Sequence, residues 1–251
     1  MFLRASLKAG VPGLALAICL TGCPTRNPQP HTLASLQADI AATPRLTAVA
    51  AETMVRVVEP GQEPLTATFR FWLDGKNRLR LRATKTDITF LDLLVDTDGH
   101  VLAVDPRAPA ITRFRMNDPR LPALLRFLPR LTDELRCGPL AAGQPTITLV
   151  TPGHAEGHLA DGTPAIYDLD PNDDPAVIIL DQLTIHYDRW QDFTGVRRPS
   201  RLRLTVEGTE LMAVLRSFDA LGTISAERMV LTPPAGAPEL SLDRFLDQLG
   251  R

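Results

Sequence analysis

Arg78-Leu79-Arg80-Leu81-Arg82 is the cleanest period-2 run in the chain, and it follows directly on the turn Asp74-Gly75-Lys76-Asn77. Side chains alternate across a strand, so the leucines share one face and the arginines are expected to face solvent. The run before the turn, 66–73, repeats the device: Phe69, Phe71 and Leu73 fall on one face, Thr68, Arg70 and Trp72 on the other. Two such runs around an Asp-Gly turn make an antiparallel hairpin. The pattern continues with a mixed strand at 49–58 closed by Glu59-Pro60-Gly61, then 88–95 and 100–104 around Asp96-Thr97-Asp98-Gly99, then 111–114. Later runs occupy 146–150, 163–167, 176–180, 183–190, 201–206, 211–218 and 228–231. Around ten successive strands with short turns imply one antiparallel sheet, curled or closed.

Three segments carry helical spacing instead. Thr32 suits the N-cap of a helix with Leu33, Leu36 and Ile40 on one face, ended by Pro44. In 119–135, Leu121, Leu124, Leu125, Leu128 and Leu131 repeat every three or four residues, with Pro122 in the first turn and Pro129 expected to split the helix. Ser241 caps a closing helix through Leu249, its face made by Leu242, Phe245, Leu246 and Leu249. The expected class is mainly β (α+β), with helices covering one face of the sheet.

The first residues follow another logic. Arg4 and Lys8 precede an apolar run, 11–20, that is interrupted only by Pro12 and Gly13. It is shorter than the ~20 apolar residues of a spanning helix and suits the core of a signal peptide. It ends in Leu20-Thr21-Gly22-Cys23, which resembles the lipobox of bacterial lipoproteins: an aliphatic residue, two small residues and the cysteine that is acylated. The resemblance implies cleavage between Gly22 and Cys23 and lipid on the Cys23 thiol. The expected organisation is a signal peptide at 1–22, a proline-rich extended tether at 23–31, and a single domain at 32–251. Attachment to a membrane through this lipid, facing the periplasm, follows. Pro24 stands where an aspartate often marks inner-membrane retention, which points to the outer membrane.

Loss of 22 of the 251 residues leaves 229, with 25 basic and 29 acidic side chains. The arginines are dispersed and no basic patch is interleaved with aromatics, so nucleic acid is not an expected partner. Cys19 lies in the leader and Cys23 takes the lipid, which leaves Cys137 without a disulfide partner. It reads as a small buried apolar residue, and the core alone must hold the fold.

Few residues invite chemistry. His154, Glu156 and His158 would share one face of a strand, the geometry a metal needs, but with Gly153 and Gly157 and no fourth ligand the segment reads as an exposed glycine-rich loop. Asp168, Asp170, Asn172 and Asp173 follow a calcium loop only in part: Asp173 replaces the turn glycine and Ile179 stands in place of the bidentate glutamate, so they read as a solvated acidic turn. No serine sits in a G-x-S-x-G setting, Ser200 and Ser217 lie in strand-like runs, and no glycine-rich phosphate loop occurs. An enzyme is not expected, nor a cofactor.

The order of elements resembles the LolA/LolB-like superfamily of periplasmic lipoprotein carriers and receptors. The resemblance spans 33–246. It rests on the leading helix, the strand ending near Val58, the hairpin with Arg78-Leu79-Arg80-Leu81, the Asp98-Gly99 turn and the leucine-rich helix. It rests also on a late strand pair around Asp192-Phe193-Thr194-Gly195, followed by Arg198-Pro199-Ser200-Arg201-Leu202-Arg203-Leu204. Two departures are the long polar segment 152–175 and the absence of a match to a receptor's protruding apolar loop.

The resemblance implies a strongly curved antiparallel sheet, an incomplete β-barrel whose interior is lidded by helices. Phe69, Phe71, Leu79, Leu81, Ile185, Tyr187, Leu202 and Leu204 would face that interior, either as the wall of a cavity for acyl chains or as a closed core. The first alternative implies a lipid-anchored periplasmic binding protein for acyl chains of lipoproteins or lipids bound for the outer membrane. The second implies an envelope protein that docks a partner protein through a sheet edge or segment 152–175. A third reading is a metal-dependent enzyme using His154 and His158.

Overall fold

In the computed structural model, which describes residues 32–181 and 183–249, two of the first hairpin turns share one design. Asp74 accepts backbone N–H bonds from Lys76 and Arg78 (both 3.0 Å), and Asp96 accepts from Asp98 and His100 (both 2.9 Å). Asn77 (φ 61°) and Gly99 (φ 76°) take the left-handed residue that each turn needs. The first six strands are β1 (Ala48–Val58), β2 (Leu65–Leu73), β3 (Leu79–Lys85), β4 (Ile88–Val95), β5 (His100–Asp105) and β6 (Ala110–Arg115), the two turns joining β2 to β3 and β4 to β5. After two helices come β7 (Thr146–Thr151), β8 (His154–His158), β9 (Pro164–Leu169), β10 (Pro175–Leu180), β11 (Leu183–Phe193), β12 (Val196–Val206) and β13 (Thr209–Leu221).

All thirteen join in one antiparallel sheet in the order β6-β5-β4-β3-β2-β1-β13-β12-β11-β10-β9-β8-β7. Consecutive strands pair except β6 and β7, which form the two edges, and at the centre β1 meets β13 from Ala48↔Leu221 to Val58↔Glu210. The sheet is curved and not closed into a barrel. Register shifts at Glu52/Thr53 and Ala83/Thr84 are bulges of the kind that bend strands.

The helices are α1 (Leu33–Ala42), α2 (Ala123–Arg126), α3 (Leu128–Cys137) and α4 (Leu242–Leu249). Thr32 caps α1, its hydroxyl accepting from Ser35 N at 3.1 Å. Pro129 falls in the first turn of α3, and the expected single helix is divided there. The apolar side chains form two main clusters. One gathers Phe71, Leu81, Leu93, Leu128 and Phe245, the other Leu36, Phe127, Tyr167, Ile178, Ile185 and Leu204. Phe69 and Leu131 pack against both, so α3 lies over the seam between the two halves of the sheet.

The C-terminal segment covers what the hairpins expose. Arg80 was expected in solvent with Arg78 and Arg82, but it is only 8% exposed. Its Nε and Nη2 donate to the buried Asp92 carboxylate at 3.0 and 2.8 Å, and its Nη1 donates to the carbonyls of Arg228 (3.1 Å) and Val230 (2.7 Å). The residues expected as a strand at 228–231 instead follow a 3₁₀ turn, Ala226–Met229, laid across β3. Further on, Ile111 and residues 238–240 exchange backbone bonds (3.0 and 2.8 Å), which shields the outer edge of β6. On the opposite edge Gln37 donates to Ile147 O at 2.8 Å.

Segment 152–175 also departs from expectation. It supplies β8 and β9 as ordinary members of the sheet, not an exposed glycine-rich loop. Gly157 is required there, since a Cβ would stand 2.3 Å from Thr146 O on β7. Asp170 closes the next turn by accepting from Asn172 N (2.7 Å) and Asp174 N (3.0 Å). The signal peptide, the lipobox with Gly22 and Cys23, and the tether lie outside the described residues. Among the described residues no helix is long and apolar enough to cross a membrane.

Candidate functional site

Beneath α2 and α3 a cavity of about 70 Å³ lies against the inner face of the sheet. β1 contributes Thr53 and Val55, β2 Phe69 and Phe71, β3 Leu81, β12 Leu202, and β13 Leu211, Ala213 and Leu215; the helical segment closes it with Leu125, Phe127, Leu128, Leu131 and Leu135. Four of the eight residues expected in the interior, Phe69, Phe71, Leu81 and Leu202, therefore line it. The other four do not. Leu79, Ile185 and Leu204 are at most 5% exposed and packed within the two clusters, where α1 and neighbouring strands fill the space. Tyr187 is turned to a polar partner.

That partner is Glu134. Its Oε1 accepts from Tyr187 Oη at 2.7 Å and from Arg130 Nε at 2.9 Å, all beneath α3. Burial pushes the Glu134 carboxyl up, against the Arg130 guanidinium and the Tyr187 hydroxyl, which hold it down. Burial raises Tyr187 well above its ordinary value and Tyr167 to about 12. Arg130 also donates to Ala142 O (2.6 Å) and Pro139 O (3.0 Å) and so ties the helix to the chain beyond it. Sequence reading passed over Glu134, although it falls three residues after Leu131 on the leucine stripe. Arg198 was also missed as a cavity residue, although counting back by twos from Leu204 and Leu202 places it on the inner face.

The other candidates lie elsewhere. His154 on β8 holds Asp168 Oδ1 (2.9 Å) through Nδ1 and Glu156 Oε1 (3.1 Å) through Nε2, and both carboxylates raise its pKa. His158 takes no part, so the expected trio does not converge. Among the described residues, metal-capable side chains converge only at Asp96, Asp98 and His100, in the exposed β4–β5 turn. Cys137 is buried, as expected, and burial pushes its thiol up to about 11.

With this geometry in hand, solved structures supply the comparison. The chain is similar to a LolA superfamily protein from Nitrosomonas europaea at 12% identity and TM-score 0.53, covering 80% of this chain and 98% of that one. The chain has a LolA-like fold. A domain named as an outer membrane lipoprotein-sorting protein from Vibrio parahaemolyticus is similar at 10% identity and TM-score 0.54, over 77% of this chain and 94% of the other. A DUF1329 family protein from Desulfovibrio piger is similar at 10% identity and TM-score 0.53, over 78% and 94%. No protein-family model matches the sequence, and no curated protein matches it. At these identities the likeness is one of fold; in this chain the cavity lies where α2 and α3 bridge the two halves of the sheet.

Proposed function

We propose that the protein is a lipid-anchored envelope protein that carries acyl chains in the cavity under α2 and α3, in the trafficking of lipid or lipoprotein towards the outer membrane. One observation supports this reading: in a LolA-like fold, the cavity is walled mainly by Val, Leu, Phe and Ala side chains, with Thr53, Glu134, Arg198 and Ser200 as its polar members. Burial of methylenes at ~0.8 kcal/mol each would drive binding and make affinity rise with chain length. The anchor is acylated Cys23, and α2–α3 act as the lid.

The size of the cavity favours a second reading. About 70 Å³ is far below the ~300–1,000 Å³ of ordinary ligand pockets. A filled LolA-like body that docks an envelope protein partner would look the same at rest. Under the first reading the lid must move to admit a chain; under the second it never does.

Native mass spectrometry of the protein, expressed in bacteria without its lipid, separates the two. Co-purifying masses of acyl compounds, displaced by a fluorescent fatty acid, are the expected result. A clean apo mass together with no fatty-acid binding would sink the carrier reading and leave the docking protein.

A further inference from the structure

Buried charges in proteins are paired, because an uncompensated ion gives up more hydration than an apolar interior returns. Arg80 obeys this rule with Asp92, and Arg130 obeys it with Glu134. Arg198 does not. It is 9% exposed, lines the cavity, and has no carboxylate within ion-pair distance among the described residues. Its Nη1 donates to Arg197 O (2.9 Å), and its Nη2 donates to Leu135 O (3.4 Å) and Arg136 O (3.2 Å) near the end of α3. Its Nε–H is buried without any acceptor. The guanidinium lies 5.3 Å from the Phe218 ring centroid, which offers a π face in place of a counter-ion.

The charge around the cavity is therefore unbalanced in one direction. Glu134 is matched by Arg130, and the cavity keeps the unmatched positive charge of Arg198. An arginine whose Nε–H lacks an acceptor beside an apolar cavity is matched to a ligand that brings the missing anion. Resting on the acyl-carrier reading above, we propose that the cavity is selective for acyl amphiphiles whose chain ends in an anionic head, a carboxylate or a phosphate, and that Arg198 is its counter-ion. The chain lies among Phe69, Leu131 and Leu202, and the head reaches Arg198 where β12 meets the C-terminal end of α3. The same lid movement that admits the chain uncovers Nε. Selectivity of this kind favours free anionic lipids over the neutral acyl-glycerol end of a lipoprotein.

The test is a head-group series at one chain length, titrated into the purified protein against a fluorescent probe at pH 8. The ligands are palmitate, the matching alkyl phosphate, the neutral monoacylglycerol and the alkyltrimethylammonium. A hydrogen bond to a charged partner at a desolvated site is worth a factor of roughly ten or more, so at least one anion should bind that much tighter than the monoacylglycerol. The cationic amphiphile should bind weakest, and the ratio of palmitate to phosphate identifies the head.

Arg198→Gln should abolish the difference between heads, so that the ratio of palmitate or alkyl phosphate affinity to that of the monoacylglycerol falls to about one, a change that a merely structural role would not produce. If that variant does not fold, the series on the unaltered protein still decides. Equal binding of all heads, or tighter binding of the neutral ester, overturns the proposal and leaves the acyl cavity standing. Failure of every amphiphile to bind overturns both.

Discussion

Ala213 offers the sharpest way to probe the cavity. It lies on β13, is 5% exposed, and faces the void between Leu202 and the helices. Ala213→Leu adds three carbons towards a space of about 70 Å³. If the space is real, their burial contributes up to ~2.4 kcal/mol at ~0.8 kcal/mol per carbon. Against this stands the ~1–3 kcal/mol that overpacking costs where a core must shift. The two nearly cancel, so stability should stay within about 1 kcal/mol of the parent, whereas the same insertion into a filled core would cost the overpacking term alone. Acyl binding responds differently, because the new side chain occupies the ligand's place. A loss of only ~1.4 kcal/mol already weakens affinity tenfold. Urea denaturation reads the first quantity and displacement of a fluorescent fatty acid the second. Unchanged stability with lost binding is the expected pair. A destabilisation of several kcal/mol would show that no usable space exists, and full-strength binding would place the acyl site elsewhere.

Asp92→Ala should destabilise the fold by about 3–5 kcal/mol in urea melts, since it strands Arg80 without its buried partner; loss below ~1 kcal/mol would refute the buried pair, and Arg80→Met with Asp92→Leu should recover most of it. Gly157→Ala should loosen β7, because its Cβ would meet Thr146 O at 2.3 Å, and limited proteolysis should then cut within 146–151 faster than in the parent. Cys137 should resist a thiol reagent at pH 8 while folded and react once unfolded, as its thiol is raised from 9.0 to about 11 by burial. The raised value fixes the sign of the linkage: the stability contribution is complete below pH 9 and is lost as pH rises through about 11, and Cys137→Ala should remove that part of the alkaline slope.

What the sequence made legible was local. Alternation in 66–82, the Asp-Gly turns, the Thr32 cap and the Pro129 break each depend on a few neighbouring residues, and all four stand in the structure. What it concealed was supplied from far along the chain. Arg80 looked solvated because nothing near it in sequence covers it; its cover arrives from Arg228 and Val230. β8 looked like a loop because its glycines weaken a strand, yet Gly157 is what lets β7 come close. Of the eight interior residues, all face inwards, but alternation assigns a face and not a depth. Leu79, Ile185 and Leu204 stand where the clusters are full, and Phe69, Phe71, Leu81 and Leu202 where α2 and α3 leave a gap.

The order of the strands explains how such a gap can open. β6 and β7 are consecutive in sequence yet form the two edges of the sheet, and α2–α3 are the connection between them. Moving this connection breaks no ladder bond, because none of its residues belongs to a strand. It is held by the leucine stripe, by the bond from Tyr187 on β11 to Glu134, by the Arg198 bonds to the last carbonyls of α3, by Arg136 on Asn77 and Asp74, by the ion pairs Arg45–Asp133 and Arg126–Glu207, and by one backbone bond, Leu46 N–H to Arg136 O. Each neutral bond contributes ~1 kcal/mol and each charged one ~1.5–3 kcal/mol, well below the stability of a whole domain. A bound acyl chain that replaces the leucine contacts with its own methylenes recovers most of what lid movement costs. Under the carrier proposal, the thirteen-stranded sheet is the rigid wall and the connection between its edges is the part that adapts to an acyl chain.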